Sequence, residues 1–243
     1  TENPLSATFM DKIFPPYPDR NDVDLHAILH PAKEVGGDLY DFYMDGNHLY
    51  FLIGDVSGKG VPASLFMAIT RSLFRTLSQH VLSPAKIVTE MNNSISDNNE
   101  SNMFVTLIVG ILDLETGILK LCNAGHNPPI LIYPDGQVSY LEFKTQIFVG
   151  VVEDFKYSDE EVVLEKESKL FLYTDGVTEA ENINKELYGE EKLLGMLSDN
   201  ASSDVRTTVN VVVDSIASHV KEAEASDDLT ILLIQYEPGT ANS

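Results

Sequence analysis

Cysteine, basic side chains and long apolar runs are all scarce in this chain of 243 residues. Cys122 is the only cysteine, which excludes an internal disulfide framework and a cysteine-based zinc site and is typical of a reducing compartment. No run is long and apolar enough to cross a bilayer, and the start lacks a signal-peptide pattern. Because the first residue is Thr1 rather than Met, we expect a fragment or processed product. We expect it in the cytoplasm, alone or as the cytoplasmic domain of a larger, membrane-attached protein.

The scarcity of basic residues gives the chain a strong negative charge. It has 16 Lys and Arg against 38 Asp and Glu, a formal net charge of -22. Such a polyanion repels nucleic acid and anionic lipid, so neither is expected as a partner. Most of these carboxylates are interpreted as a solvated surface, and a few are expected to gather around cations.

The pattern of apolar residues predicts one α/β (α+β) domain. We place a proline-rich lead-in or linker at 1–20, the domain at 21–238 and a tail at 239–243. Many strand-like runs are joined by short turns, which favours antiparallel pairing. Helical spacing occurs at 62–80, 83–99, 190–199 and 203–222. An apolar stripe on the first helix is expected to be core or helix-pairing surface: Leu65, Ile69, Leu73 and Leu77.

Three common phosphate-handling motifs are missing. The stretch IGDVSGKG has Ile53 where a Walker loop needs its first glycine and Gly60 where it needs Ser or Thr. A cysteine phosphatase would place Arg six residues after Cys122, where Pro128 stands. A haloacid-dehalogenase-type site would need a second Asp at the position of Val177. The sequence therefore offers no Walker loop for nucleotide binding and no nucleophile of the other two types.

Aspartates instead stand at the ends of several predicted strands: Asp38, Asp55, Asp175, Asp227 and Asp228. Each one alone is a turn former or a helix cap. If the strand ends converge, however, carboxylates about 4 Å apart repel by roughly 1 to 4 kcal/mol per pair unless protons or cations bind among them. Oxygen ligands favour hard ions such as Mg²⁺ or Mn²⁺, and a pair of such ions can activate water against a phosphoryl group. Taken jointly, the acids favour a metal site.

The motifs around these acids, in this order, resemble a known family. They are PAKEVGGDLYDFY, IGDVSGKGVPASLFMA, NAGHNPPIL, LFLYTDGVTEAEN and DDLTILLI. They resemble the bacterial SpoIIE-type branch of the PPM superfamily of metal-dependent Ser/Thr protein phosphatases, over nearly the whole chain. The resemblance implies an αββα sandwich, two antiparallel sheets flanked by helices. It also implies two Mn²⁺ or Mg²⁺ ions and direct attack of a metal-bound hydroxide on the phosphoester.

The resemblance also assigns residues. The implied metal ligands are the carboxylates of Asp38, Asp55, Asp175 and Asp227 and the backbone carbonyl of Val56. Asp55 would bridge both ions. Asp228 fills a position that is often Asn elsewhere, so we expect it to support the ligands rather than to bind metal.

Other residues near the motifs are assigned smaller roles. Glu34 either supports the ligands or is a strand-edge carboxylate, and Gly176 is expected to shape the loop around its neighbouring ligand. Lys59 could contact a substrate phosphate, but a solvated loop lysine is favoured. For His126, a polar turn residue is favoured over a general acid. The phosphate-gripping arginine of the eukaryotic branch has no counterpart near Asp38.

The resemblance further implies a phosphoprotein substrate, an anti-anti-sigma-type regulator in bacterial signalling. It implies an upstream sensor domain or activator protein, and it leaves a homodimer open. Two alternatives stay open: a two-metal nucleotide cyclase, and a non-catalytic binding module with the phosphatase fold. The small number of basic residues disfavours the cyclase, and the presence of all the motif acids disfavours the non-catalytic module.

Overall fold

The computed structural model describes residues 15–97, 99 and 102–238, so most of the predicted lead-in and the whole predicted tail lie outside the described residues. In the described part, the helices are α1 (Val61–Leu77), α2 (Pro84–Ser96), α3 (Glu190–Asp199) and α4 (Val205–Val220). The strands are β1 (Val23–His30), β2 (Leu39–Asp45), β3 (His48–Val56), β4 (Val105–Asp113), β5 (Ile118–Ala124), β6 (Ile130–Ile132), β7 (Val138–Tyr140), β8 (Thr145–Gln146), β9 (Glu160–Val163), β10 (Lys169–Tyr173) and β11 (Leu229–Tyr236). None of the helices described is long and apolar enough to span a membrane.

The strands form two sheets. One sheet has the order β1-β11-β10-β6-β7, and the other has the order β2-β3-β4-β5-β8 with β9 also paired to β5. Every pairing is antiparallel except that of β5 with β8, among the strands described. The first strand pairs with the last, with Val23 opposite Tyr236 and His30 opposite Leu229. The edge strand of the five-stranded sheet and its neighbour therefore come from opposite ends of the described chain.

Alternating burial explains why the two sheets stack. In β3, Leu49, Phe51 and Ile53 face the core between the sheets. Tyr50 and Leu52, on the other face of the same strand, pack in the layer that contains α1 and α2. Strand β11 likewise divides its side chains between the inter-sheet core and a third cluster that contains α3 and α4. Because both faces of the central strands are buried, the strands read as continuous apolar runs. The predicted αββα sandwich is confirmed.

Local signals in the sequence set several element boundaries. Asp45 pairs with His48 across a two-residue turn that begins at Gly46, whose φ of 58° suits glycine in a tight hairpin. Ser83 caps α2 by accepting a hydrogen bond from the amide of Lys86 at 3.2 Å. The second helix, predicted at 83–99, runs from Pro84 to Ser96.

The apolar stripe on α1 is only partly covered. Leu73 and Leu77 pack against the cluster formed with α2 and the six-stranded sheet. Leu65 and Ile69 are 62% and 55% exposed, so they are not core residues of this chain, and the helix-pairing alternative stays open for these two. The helical period identifies one face of the helix, and here the sheet covers only the part of that face near the helix end.

A buried ion cluster fastens α1 to β2. Asp41 is fully buried and accepts two hydrogen bonds from Arg75, each 2.6 Å long, while Arg71 Nε lies 3.1 Å from its carboxylate. Arg75 also donates to the carbonyl of Phe42 at 2.8 Å. The cluster therefore fixes the end of α1 to the strand that begins beside Asp38.

Replacing Asp41 with Asn is expected to destabilise the protein by about 3 kcal/mol, because two guanidinium groups then lose their buried counter-charge. Urea unfolding followed by circular dichroism measures the change. Asp45→Asn, on the same strand, is the matched control. Its carboxylate is 39% exposed and pairs with His80 at the surface, so the change should cost less than about 1 kcal/mol. Equal losses in the two variants would contradict a special role for the buried cluster.

Candidate active site

The predicted acids meet at one end of the sandwich. Asp38 precedes β2, and Asp55 lies near the end of β3, on the six-stranded sheet. Asp175 follows β10, and the pair Asp227 and Asp228 precedes β11, on the five-stranded sheet. A cleft here is lined by three of these acids together with the glycine-rich loops: Ala32, Lys33, Val35, Gly36, Gly37, Asp55, Gly58, Lys59, Gly60, Ser226, Asp227 and Asp228. The two sheets thus contribute acids to one site.

Asp38 is the most buried of the predicted carboxylate ligands, at 3% exposure. Its Oδ2 accepts hydrogen bonds from the hydroxyls of Thr174, at 2.7 Å, and Thr230, at 2.6 Å. Burial, and next the nearby carboxylate of Asp55, raise the pKa of Asp38 well above its usual value, although the two threonine hydroxyls oppose the shift. The threonines therefore hold this carboxylate in place across the interface between the sheets.

Asp228 supports the loop that precedes Asp38. Its Oδ1 accepts from the amide of Ala32 and its Oδ2 from the amide of Gly37, both at 2.8 Å. A Cβ on Gly36 would lie 2.0 Å from Asp228 Oδ2, so only glycine fits there. This arrangement agrees with the expectation that Asp228 supports the ligands instead of binding metal.

Asp55, like Asp38, has a raised pKa. Burial, followed by the charges of Asp175 and Asp227, raises the pKa of Asp55 to about 7. Its neighbour Val56 has its carbonyl oxygen against Gly37, where a Cβ would come within 2.9 Å of that oxygen. The carboxylate and the carbonyl predicted as ligands therefore belong to consecutive residues at the end of β3.

Asp175 begins a short 3-10 turn, Asp175–Val177, directly after β10. Burial, and then the charges of Glu179 and Asp227, raise the pKa of Asp175. A Cβ on Gly176 would lie 1.8 Å from the backbone oxygen of Asp228. Gly176 thus lets the turn approach the start of β11, which gives a physical reason for its predicted role in shaping the loop.

Asp227 already has a cationic partner. Lys59 Nζ lies 3.0 Å from Asp227 Oδ2 and donates to the carbonyl of Ser226 at 2.8 Å. Lys59 is therefore not the freely solvated loop lysine that the sequence favoured. The contact joins the loop after β3 to the loop before β11.

The residues fit a hard divalent ion in their chemistry and charge. All the predicted ligand atoms are oxygens, and a bound cation would relieve the repulsion that, after burial, raises the pKa of Asp55. Within the described ranges, however, no three His, Cys, Asp or Glu side chains are arranged so that they could hold a metal ion. Asp38 is engaged by two threonines and Asp227 by Lys59. The contact with Lys59 occupies Oδ2 of Asp227, and Oδ1 accepts from the amide of Asp228 at 3.0 Å.

Glu34 and His126 do not line the cleft. Glu34 is exposed and lies outside the cleft lining. His126 is 4% exposed, and its Nδ1 lies 3.0 Å from the hydroxyl of Thr106. Burial lowers the pKa of His126 to about 4, so its ring is neutral at pH 7. Its amide and carbonyl both hydrogen-bond with the side chain of Asn123, which supports a turn-forming role.

Sequence reasoning missed the hydroxyl donors around Asp38 and the partner of Asp227. Thr230 lies one residue into a strand whose neighbours are apolar, and a polar residue at a buried strand position is the signal that could have identified it. Thr174 directly precedes Asp175, and its side chain donates to Asp38. The pair of Lys59 and Asp227 joins residues 168 positions apart and leaves no local signal.

Comparison with known proteins gives a family and a fold. Residues 45–237 match the family model described as Stage II sporulation protein E (SpoIIE). The phosphoserine phosphatase RsbU of Bacillus subtilis is 27% identical over 219 residues, which cover 90% of this chain and 64% of the relative. The phosphoserine phosphatase RsbP of the same organism is 28% identical over 221 residues, which cover 88% and 53% respectively. The chain thus spans less than two thirds of each of these relatives.

A solved structure supports the architecture. The SiaA-PP2C domain of Pseudomonas aeruginosa superimposes with a TM-score of 0.77 over 88% of this chain and 86% of that chain. The identity is 23%, so this likeness shows the fold alone.

Proposed function

The chain belongs to the SpoIIE family, and from that premise and the carboxylate cleft we propose that it is a metal-dependent protein phosphatase acting on phosphoserine or phosphothreonine in bacterial signalling. The convergence of acids from both sheets carries the proposal, because burial and, after it, the charges of Asp175 and Asp227 raise the pKa of Asp55 to about 7. Two relatives named as phosphoserine phosphatases support the same activity.

The proposed ligands of two Mn²⁺ or Mg²⁺ ions are Asp38, Asp55, Asp175, Asp227 and the carbonyl of Val56. When bound, such ions activate water and withdraw charge from a phosphoryl group. Thr174 and Thr230 orient the carboxylate of Asp38 through their 2.7 Å and 2.6 Å hydrogen bonds. Asp228 fixes the loop before Asp38 through two backbone amides. The acids are thereby held on strand ends that move little.

In the proposed reaction, a water oxygen forms a bond to phosphorus while the bond from phosphorus to the serine or threonine oxygen breaks. The products are the free hydroxyl and inorganic phosphate, and a proton from water ends on the leaving oxygen. Cys122 does not act as a nucleophile, because it is fully buried and burial raises the pKa of its thiol. His126 does not supply the proton, because it is buried and neutral.

We further propose a small phosphorylated regulator of the anti-anti-sigma type as the substrate, in the cytoplasm. An upstream sensor domain or activator protein, and a homodimer, are proposed as partners by analogy with the family. The family match argues against the nucleotide cyclase alternative. The presence of every motif acid argues against a binding module that has lost catalysis.

The test is phosphate release from p-nitrophenyl phosphate and from a phosphoserine peptide by the 243-residue chain, with Mn²⁺, with Mg²⁺ and with a chelator. We expect release only with the ions. Asp175→Asn should lower it by about 100-fold or more, because the loss of a ligand removes several kcal/mol of charge stabilisation. Asp214→Asn changes the same charge on the exposed face of α4 and should have no effect. Release that survives the chelator, or Asp175→Asn, would contradict the proposal.

A further inference from the structure

Lys59 extends over the cleft from the loop between β3 and α1. Its ammonium lies 3.0 Å from Asp227 Oδ2 and 2.8 Å from the carbonyl oxygen of Ser226. The side chain is 53% exposed, so it reaches the acids from the solvent side. A positive charge therefore rests on one of the proposed metal ligands, on the solvent side of the cleft.

Lys59 lies between two glycines that set the backbone conformation of its turn. Gly58 has a φ of 93° and Gly60 a φ of 76°, both in the left-handed region that favours glycine. A Cβ on either residue would meet nothing within 4 Å, so backbone conformation and not crowding explains the glycines. The lysine is thus carried on a turn of unusual backbone shape and has a long side chain that can reorient.

The negative charge of the cleft favours a cationic side chain that can attract a phosphate. A phosphate monoester carries negative charge into a site that gathers several carboxylates, and like charges repel. Among the residues that line the described cleft, the cationic ones are Lys33 and Lys59. Lys59 donates a hydrogen bond to Asp227 Oδ2, and a lysine ammonium is charged over the physiological range.

We propose that Lys59 is a substrate-binding residue that changes partner: its ammonium rests on Asp227 when no divalent ion is bound there and contacts the substrate phosphate when Asp227 binds an ion. The geometry supports the exchange because an ammonium and a divalent ion compete for the same carboxylate. The released ammonium stays tethered at the cleft mouth. The inference rests on the proposed phosphatase function, and it fills the role left open by the missing arginine near Asp38.

Lys59→Met should change two affinities in opposite directions. Removal of the competing ammonium should let Mn²⁺ bind the metal-free chain several-fold more tightly. Inorganic phosphate should bind the Mn²⁺-loaded chain about 10- to 100-fold more weakly, the range expected for one hydrogen bond to a charged group. Titration calorimetry with Mn²⁺, and then with phosphate, measures both affinities without turnover. In phosphatase assays kcat/KM should fall by a similar factor.

Two further variants make the test specific. Lys59→Arg keeps the charge and should retain most of the phosphate affinity and most of kcat/KM. Lys33→Met removes the other cation of the same cleft lining and should leave the Mn²⁺ affinity unchanged, since the ion pair of Asp227 is with Lys59.

Each outcome decides the matter. Tighter Mn²⁺ binding with unchanged phosphate binding would overturn the proposal and leave Lys59 as a competitor of the ion alone. Equal effects of Lys33→Met and Lys59→Met on phosphate binding would also overturn it, because general charge would then suffice. If the unaltered chain shows no metal-dependent hydrolysis, the proposed function fails. The two calorimetric titrations still test Lys59 in that case.

Discussion

Asp55→Asn is expected to abolish metal-dependent phosphate release and, at the same time, to stabilise the metal-free protein. Asn keeps the shape of Asp55 but removes the charge that faces Asp175 and Asp227. One pKa unit corresponds to about 1.4 kcal/mol, and allowing for relaxation of the cluster we expect a gain of about 2 kcal/mol at pH 8. Few substitutions of a proposed metal ligand should improve stability, so the two opposite effects together identify an electrostatically strained site.

The pH dependence gives the sign of this effect. Asp55 has a pKa of about 7 in the folded protein and 3.8 as the reference value, so the folded state binds more protons between these values. The stability of the metal-free protein should therefore be greatest near pH 4, as far as this group is concerned, and fall as the pH rises towards 7. In Asp55→Asn this fall should be smaller.

Urea unfolding of chelator-treated protein at pH 5 and pH 8 measures the difference. Asp199→Asn, an exposed acid at the end of α3, serves as the control and should shift neither value. Adding Mn²⁺ should stabilise the unaltered protein at pH 8 and have little effect on Asp55→Asn. An Asp55→Asn protein that is less stable than the unaltered protein at pH 8 would contradict the repulsion described here.

Gly176→Ala is expected to disrupt the site through its backbone. The added Cβ would lie 1.8 Å from the carbonyl oxygen of Asp228, which cannot move aside as a flexible side chain could. The turn that carries Asp175 must then separate from the start of β11, where Asp227 and Asp228 lie. We expect metal-dependent hydrolysis to fall by at least about 100-fold and stability to fall by about 1 to 3 kcal/mol.

The matched control for this change is Gly195→Ala in α3. A Cβ there meets nothing within 4 Å, and alanine favours helix, so stability should be unchanged or rise by up to about 1 kcal/mol. Kinetics with Mn²⁺, together with thermal unfolding, report both effects. Full activity in Gly176→Ala would show that the two segments do not approach each other as closely as described.

The sequence predicts those structural elements of this protein that depend on residues close together in the chain. Apolar alternation, the turn at Gly46 and the cap at Ser83 give the strands and helices, because each signal acts within a few residues. The acids at strand ends were also visible. The contacts that hold these acids in place could not be predicted, because they join distant parts of the chain. Thr230 donates to Asp38. Lys59 pairs with Asp227.

The burial of side chains on α1 also could not be predicted from the sequence. The spacing of Leu65 and Leu73 puts both on one apolar stripe, but one is exposed and the other packs against the helix–sheet cluster. Periodicity states which side chains lie together and does not state what covers them. Only the placement of the neighbouring sheet decides that.

Because the first strand pairs with the last, the chain could begin and end elsewhere without moving the acids of the site. Val23 lies opposite Tyr236, and the carbonyl of Asp22 accepts from the amide of Glu237 at 2.9 Å. The acids lie at the other end of β11, eight residues and about 27 Å away. The β2–β3 turn is close to the same end as the paired residues, since Arg20 donates to the carbonyl of Gly46 at 3.1 Å. A circular permutant that joins residues 22 and 237 and opens at that turn would therefore keep every strand end that carries an acid.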